Sequence, residues 1–140
     1  MKAFIDTSSL IKKYVEESDS KLLDEYLEKI EQIIISPITA MEIHSVLERK
    51  LREKTITVDE AEFVEKEFKI DLIYFGVIKW NENLEKKTIQ MIRKYQLKVF
   101  DGMQLASGVL SNSDIFITSD KRLYNTASKE LKKAVFIGSL

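Results

Sequence analysis

MKAFIDTSSLIKKYVEE, residues 1–17, decides the fold: a short apolar run stops at Asp6, and Thr7, Ser8 and Ser9 then supply the small hydroxyl side chains that start helices. Read outward, this is a strand over residues 2–6 passing into a helix over residues 8–16. The pattern recurs. An amphipathic helix is expected over residues 20–31, with Leu22, Leu23, Tyr26, Leu27 and Ile30 on one side, followed by a buried strand in QIIIS at residues 32–36. Ser36 and Pro37 read as N-cap and first-turn residue of a long helix over residues 37–54, whose apolar stripe is Ile43, Val46, Leu47 and Leu51. Thr57 and Glu60 fit a capping box opening a helix over residues 57–68. A strand and loop at 71–78, helices at 80–95 and 100–110, a buried strand at 114–118 and a last strand near 133–138 complete the reading. Apolar strands that alternate with helices predict a mainly parallel sheet covered on both faces, a Rossmann-like three-layer α/β/α sandwich.

In such a sheet the C-terminal strand ends share one edge, and ligands collect there where strand order reverses. Four acids fall at that edge. Asp6 ends the first strand, Asp120 follows the strand that stops at Thr118, and Glu42 and Asp101 lie early in helices. Asp6, Asp101 and Asp120 can each also be read as a helix cap. Glu42 fits that reading less well, since Ser36 already reads as the cap of its helix and it borders the buried stripe, where a carboxylate needs a cation or a hydrogen-bond donor. Gathered carboxylates repel one another unless a divalent ion sits among them. An all-oxygen ligand set favours Mg²⁺ or Mn²⁺ over zinc, and Mg²⁺ leaves coordination positions for phosphate. Thr7, Ser8 and Thr118 are candidates to orient the carboxylates by hydrogen bonding.

Composition bounds the rest. The chain has 140 residues, is 44% hydrophobic and has no Pro- or Gly-rich interruption, so one domain over residues 1–140 is expected. No cysteine is present, which removes thiolate chemistry and fits a reducing, cytoplasmic setting; no segment has the apolar length of a membrane span. The lone histidine, His44, stands two residues from Glu42 on a helix and so faces elsewhere. Gly76, Gly102, Gly108 and Gly138 are isolated, so no phosphate-cradling glycine loop exists. Net charge is −1 from 22 basic and 23 acidic residues, so any polyanion must be met by local bases. Lys12, Lys13, Arg49, Lys121 and Arg122 follow the acids closely and are the local bases that could meet a polyanion's phosphates.

Four stretches, FIDTSSLIKKYVEE (4–17), SPITAMEIHSVLERK (36–50), VFDGMQLASGVL (99–110) and IFITSDKRLYNTA (115–127), occur in the order of the acidic motifs of PIN-domain ribonucleases. The chain resembles that family, in particular its VapC-type toxins of toxin–antitoxin pairs. The resemblance implies a metal-binding acidic pocket made of Asp6, Glu42, Asp101 and Asp120, with Thr118 as a supporting hydroxyl. It implies an RNA substrate, a small antitoxin that covers the acidic groove, and a homodimer to which the apolar residues between Phe63 and Trp80 contribute. Gly102 and Gly108 stand where relatives commonly carry alanine or another small residue, which suggests a looser helix after Asp101.

The expected activity is Mg²⁺- or Mn²⁺-dependent endoribonuclease cleavage of single-stranded or loop RNA, leaving a 5′-phosphate and a 3′-hydroxyl. Two other classes stay open. One is a non-catalytic PIN-like module that binds RNA or protein and keeps its acids as helix caps. The other is a Mg²⁺-dependent phosphatase of another α/β family, whose first strand also ends in Asp but is usually followed by a second Asp where this chain has Ser8.

Overall fold

The computed structural model describes residues 1–139. Strands β1 (Lys2–Ile5), β2 (Gln32–Ile35), β3 (Gly76–Val77), β4 (Ile115–Thr118) and β5 (Ala134–Phe136) form one sheet in the order β3-β2-β1-β4-β5. Every pairing is parallel: Phe4 stands beside Ile34 on one side and Phe116 on the other. The chain builds outward from β1 through β2 to β3, then crosses back to place β4 on the far side of β1. The strand order therefore reverses between β1 and β4, where a parallel sheet opens its ligand crevice.

Strand alternation sorts the core into two layers. Ala3, Ile5, Ile35, Ile115 and Ile117 pack with Leu23, Ile43, Leu47, Val64 and Phe68, from the helices α2 (Ser20–Leu27), α3 (Thr39–Arg52) and α4 (Val58–Asp71). Phe4, Ile34 and Phe116 face the other way, onto Leu84, Met91, Leu105, Leu123 and Ala127 of α5 (Glu82–Tyr95), α6 (Val99–Leu110) and α7 (Lys121–Glu130). Phe4 and Phe116 stack at 5.1 Å between centroids. The three-layer α/β/α architecture follows, with a parallel sheet at its centre.

Several boundaries differ from the sequence expectation. The first helix is only α1 (Thr7–Leu10) plus a 3-10 turn at Ile11–Lys13, in which Lys12 and Lys13 are drawn to different partners, Glu17 and Asp71. Helix α2 stops at Leu27, and the chain turns back so that the Glu31 N–H reaches the Met1 carbonyl at 2.9 Å and β2 can align with β1. Ser36 is not the cap of α3. It is fully buried, its Oγ accepts from Ser107 Oγ at 2.9 Å, and Pro37 and Ile38 form a turn before the helix begins at Thr39. The capping box at Thr57 and Glu60 is present, but α4 runs on to Asp71 and leaves only the two-residue edge strand β3 where a longer strand was expected. Helix α7 is an element for which the sequence reading supplied only its cap.

The two glycines of α6 do not loosen it. A Cβ at Gly102 would stand 2.6 Å from Ile92 Cγ1, and one at Gly108 would stand 2.3 Å from the Phe116 ring. Both glycines are close-approach positions that let α6 lie against α5 and the sheet. The helix carrying Asp101 is thereby seated more tightly than an alanine would allow.

Candidate functional site

All four carboxylates sit at helix N-terminal ends along the C-terminal edge of the sheet. Asp6 caps α1 by accepting from the Ser9 N–H at 3.2 Å, and Asp120 caps α7 by accepting from the Leu123 N–H at 2.9 Å. Glu42 and Asp101 lie in the first turns of α3 and α6. The positive ends of four helix dipoles therefore favour negative charge at one edge. The crevice there has a volume of about 690 Å³, and Asp6, Glu42, Asp101 and Asp120 all line it.

Asp6 is 3% exposed. Ser8 Oγ donates to its two carboxylate oxygens at 2.8 and 2.9 Å, and Thr118 Oγ1 donates at 2.7 Å. Burial pushes its pKa up to about 7, against the lowering effect of the bonds from Thr118, Ser8 and the Ser9 N–H and with a further push from the Asp120 charge. Thr118 also accepts from the Asp120 N–H at 3.0 Å, so one hydroxyl ties the first acid to the fourth. Glu42 Oε1 accepts from Thr7 Oγ1 at 2.8 Å and from Gln104 Nε2 at 2.7 Å. Asp101 is half-buried; burial and then the Asp120 charge raise its pKa, opposed by Arg122 and Lys98.

The electrostatic signature is a lack of compensation. None of the ion pairs among the described residues involves Asp6, Glu42, Asp101 or Asp120. Hydroxyls, an amide and backbone N–H groups hold Asp6, Glu42 and Asp120 instead, and the Asp101 side chain accepts no hydrogen bond among the described residues. Among the described residues, no three acidic or histidine side chains are gathered tightly enough to grip an ion as they stand. The donor set nonetheless fits a hard cation: it is all oxygen, it is negatively charged, and burial together with the Asp120 charge raises the pKa of Asp6 and Asp101, a strain that a divalent ion relieves.

Thr7 and Ser8 line the crevice with the acids, and Thr118 lies directly behind Asp6, fully buried. Of the basic candidates, Lys12 and Arg49 line the crevice. Lys13 is bound to Asp71 at 2.7 Å, outside the lining; Lys121 and Arg122 are exposed on α7, with Arg122 donating to the Gln96 carbonyl at 2.9 Å. His44 is exposed, 3.6 Å from Glu65, and outside the lining. Sequence reasoning missed Gln104. Its Nε2 also lies 3.0 Å from Thr7 Oγ1 and 3.2 Å from Thr39 Oγ1, while its Oε1 is buried with no hydrogen-bond partner. The signal was available, since Gln104 is a lone amide in an otherwise small and apolar helix segment. Phe100, 53% exposed on the crevice lip beside Asp101, and Glu17 were also missed.

The sequence model of the PIN domain family matches residues 3–129. A toxin–antitoxin complex from Klebsiella pneumoniae contains a chain of similar fold, with a TM-score of 0.69 at 22% identity over 99% of both chains. FitAcB from Neisseria gonorrhoeae is similar with a TM-score of 0.67 at 14% identity, covering 96% of each chain. VapBC-1 from nontypeable Haemophilus influenzae gives 0.66 at 14% identity, covering 97% of this chain and 98% of that one. At these identities the likeness is one of fold. Compared by sequence with curated proteins, the chain has no significant match. Among the described residues, no helix is long and apolar enough to cross a membrane.

Proposed function

The chain belongs to the PIN domain family, and from that premise we propose that it is a Mg²⁺- or Mn²⁺-dependent endoribonuclease, the toxin of a toxin–antitoxin pair. The observation that carries the reading is a crevice that gathers four carboxylates, none of them in an ion pair among the described residues: Asp6, Glu42 and Asp120 are held by neutral donors, and the Asp101 side chain accepts no hydrogen bond. A protein that used these acids only for structure would gain by pairing them with its abundant lysines. Asp6, Glu42 and Asp101 are the residues that would hold the ion, with Asp120 completing a second position or orienting water. Bound there, the ion would supply Lewis acidity, polarising a phosphoryl oxygen and making water a stronger acid.

The chain's own side chains do the positioning. Ser8 and Thr118 fix the Asp6 carboxylate, and Thr7 and Gln104 fix that of Glu42, so four hydrogen-bond donors set the direction of two acids before any substrate arrives. Lys12 and Arg49 stand on the same wall to attract the phosphate backbone. Phe100 offers an exposed ring for a base to stack on. Lys121 and Arg122 lie outside the crevice and serve a strand that continues past it.

The Klebsiella pneumoniae protein of similar fold is part of a toxin–antitoxin complex, which supports a small antitoxin as the partner that covers this crevice. A homodimer is supported by Phe63, Ile73, Tyr74 and Trp80, 57–77% exposed on and after α4. A second reading, a non-cleaving PIN-like module, draws on the fact that Asp6 and Asp120 do cap helices.

Incubation of wild type, Asp6→Asn and Asp101→Asn with a mixed RNA pool, with and without Mg²⁺ or Mn²⁺, separates these readings. Metal-dependent cleavage to 5′-phosphate and 3′-hydroxyl ends, abolished by both substitutions, is the expected result. Products ending in 2′,3′-cyclic phosphate would overturn the proposed hydrolysis, because they require the RNA 2′-hydroxyl as nucleophile. RNA binding without cleavage at any metal concentration would favour the module.

A further inference from the structure

One stretch of the crevice wall carries both signs of charge. Glu17 lies in the segment between the 3-10 turn and α2, and its two carboxylate oxygens are taken by different lysines: Oε1 is 2.7 Å from Lys50 Nζ and Oε2 is 3.2 Å from Lys12 Nζ. No other carboxylate among the described residues holds two lysines. Both lysine side chains are largely withdrawn from solvent, at 15% and 10% exposure, and Lys12 Nζ also donates to the Ser18 carbonyl at 3.1 Å. Burial opposes ionisation of Glu17, yet Lys50 and Lys12 together hold its carboxyl below the ordinary range.

Lysine ordinarily keeps its ammonium in water, and withdrawing two of them onto one wall is costly unless an anion meets both. Glu17 and Lys12 line the crevice that holds the four acids, whereas Lys50 does not line it. The Lys50 ammonium therefore meets the crevice wall through Glu17. Two ammonium groups, one on each oxygen of a bridging anion, match the two non-bridging oxygens of a phosphodiester as well as they match a carboxylate.

We propose that Lys12 and Lys50 form a phosphate-receiving subsite of the crevice that Glu17 holds closed, its carboxylate standing where a backbone phosphate of the bound strand sits. Exchange of one anion for the other never leaves the ammonium groups unpaired, and Glu17 is released to solvent, so opening is reversible. The proposal rests on the nuclease reading for the identity of its ligand, a single-stranded RNA, but binding at the subsite is separable from cleavage.

The test is fluorescence anisotropy of a labelled single-stranded oligoribonucleotide in EDTA, across a salt series, with wild type, Glu17→Gln and Glu82→Gln. Glu82 pairs with Lys86 on α5, both largely exposed, and its substitution makes the same change in net charge away from the crevice. Glu17→Gln is expected to bind on the order of tenfold tighter at about 0.1 M salt, with the slope of log K against log salt steeper by about 0.7 for each lysine released. Adding Lys50→Gln to Glu17→Gln should remove the gain. Glu17→Asp, with a shorter carboxylate and the charge retained, should fall between wild type and Glu17→Gln. The subsite is overturned if Glu17→Gln binds no tighter than Glu82→Gln, or if the gain survives loss of Lys50. A lower melting temperature without a binding gain would likewise overturn it and make the triad a clamp on the 14–19 segment. Cleavage assayed in parallel keeps the two readings apart: a binding gain with no cleavage in any protein strikes the nuclease reading alone, and cleavage with no gain strikes the subsite alone.

Discussion

Asp6, deep in the crevice, has almost no solvent contact and accepts hydrogen bonds from Ser8, Ser9 and Thr118, whereas Asp101 is half-buried and its side chain accepts none among the described residues. Glu42 belongs with the first, being held by Thr7 and Gln104; Asp120 belongs with the second, its one side-chain bond being the cap of α7. The same residue type is thus fixed in the floor and left adjustable at the rim. A rigid floor presets where a cation sits, and a loosely held rim can close on it when substrate arrives. The floor is wired entirely by neutral donors. Basic donors would have satisfied the carboxylates just as well but would have cancelled the charge that attracts the ion.

The largest effect should come from the floor itself. Asp6→Asn removes one ligand charge while keeping size, and cleavage is expected to fall by roughly 10³-fold, since Lewis-acid catalysis is worth several kcal/mol. Thermal melting with and without Mg²⁺ supplies an independent readout. Wild type should be stabilised by the ion, by about 2.7 kcal/mol at a hundred times its dissociation constant, and Asp6→Asn should lose most of that shift. Equal shifts in both proteins would break the division between floor and rim.

Next comes the wiring. Gln104→Leu retains bulk but deprives Glu42 of a donor 2.7 Å away. Loss of such an outer contact is expected to cost about 10- to 100-fold in metal affinity or activity. Metal titration by calorimetry should show the weakening directly. An unchanged affinity would mean that Thr7 alone orients Glu42. Thr118→Val is a smaller test of the same point: it removes the hydroxyl that donates to Asp6 at 2.7 Å and accepts from the Asp120 N–H at 3.0 Å. Its expected costs are roughly tenfold in activity and about 1–3 kcal/mol of stability for the group left unpaired.

The contrast also explains what the sequence could and could not disclose. That Asp6, Glu42, Asp101 and Asp120 share one sheet edge was readable because local signals mark them: an apolar run giving way to a turn or to the first turns of a helix, or a carboxylate at the border of a helical stripe. The parallel sheet was readable from continuous runs such as IFIT at Ile115–Thr118, all four residues of which are buried. Gln104 was marked only as a lone amide in a small and apolar stretch, because its importance lies in contacts to Thr7, Thr39 and Glu42, which are at least 62 positions away along the chain. Ser36 was misread as the cap: its Oγ does accept from the Ile38 N–H at 3.3 Å, but that bond closes the turn before the helix, and the same oxygen also accepts from Ser107, far along the chain. Gly102 and Gly108 read as loosening by helix propensity, yet Ile92 and Phe116 occupy the space a Cβ would need. Local chemistry writes the turns and caps; pairings across the sheet edge emerge only when strands from both ends of the chain are side by side.

Asp120 is where the comparison can be sharpened most finely, and where the smallest effect is expected. Asn caps helices about as well as Asp, so Asp120→Asn keeps the bond to the Leu123 N–H and changes only charge, whereas Asp120→Ala also loses about 1 kcal/mol of capping. Asp120→Asn should lower cleavage by less than tenfold, far below the loss at Asp6, if Asp120 assists rather than anchors. The sign of its effect on Asp101 is fixed. The Asp120 charge is one of the causes that raise the Asp101 pKa, so removing it should bring that pKa down in the metal-free protein, readable by carboxyl ¹³C NMR titration. A large activity loss together with an unmoved Asp101 titration would place Asp120 on the floor, as a direct ligand with no influence on its neighbour. A lowered Asp101 pKa with cleavage largely retained would establish that Asp120 tunes charge while Asp6, Glu42 and Asp101 hold the ion.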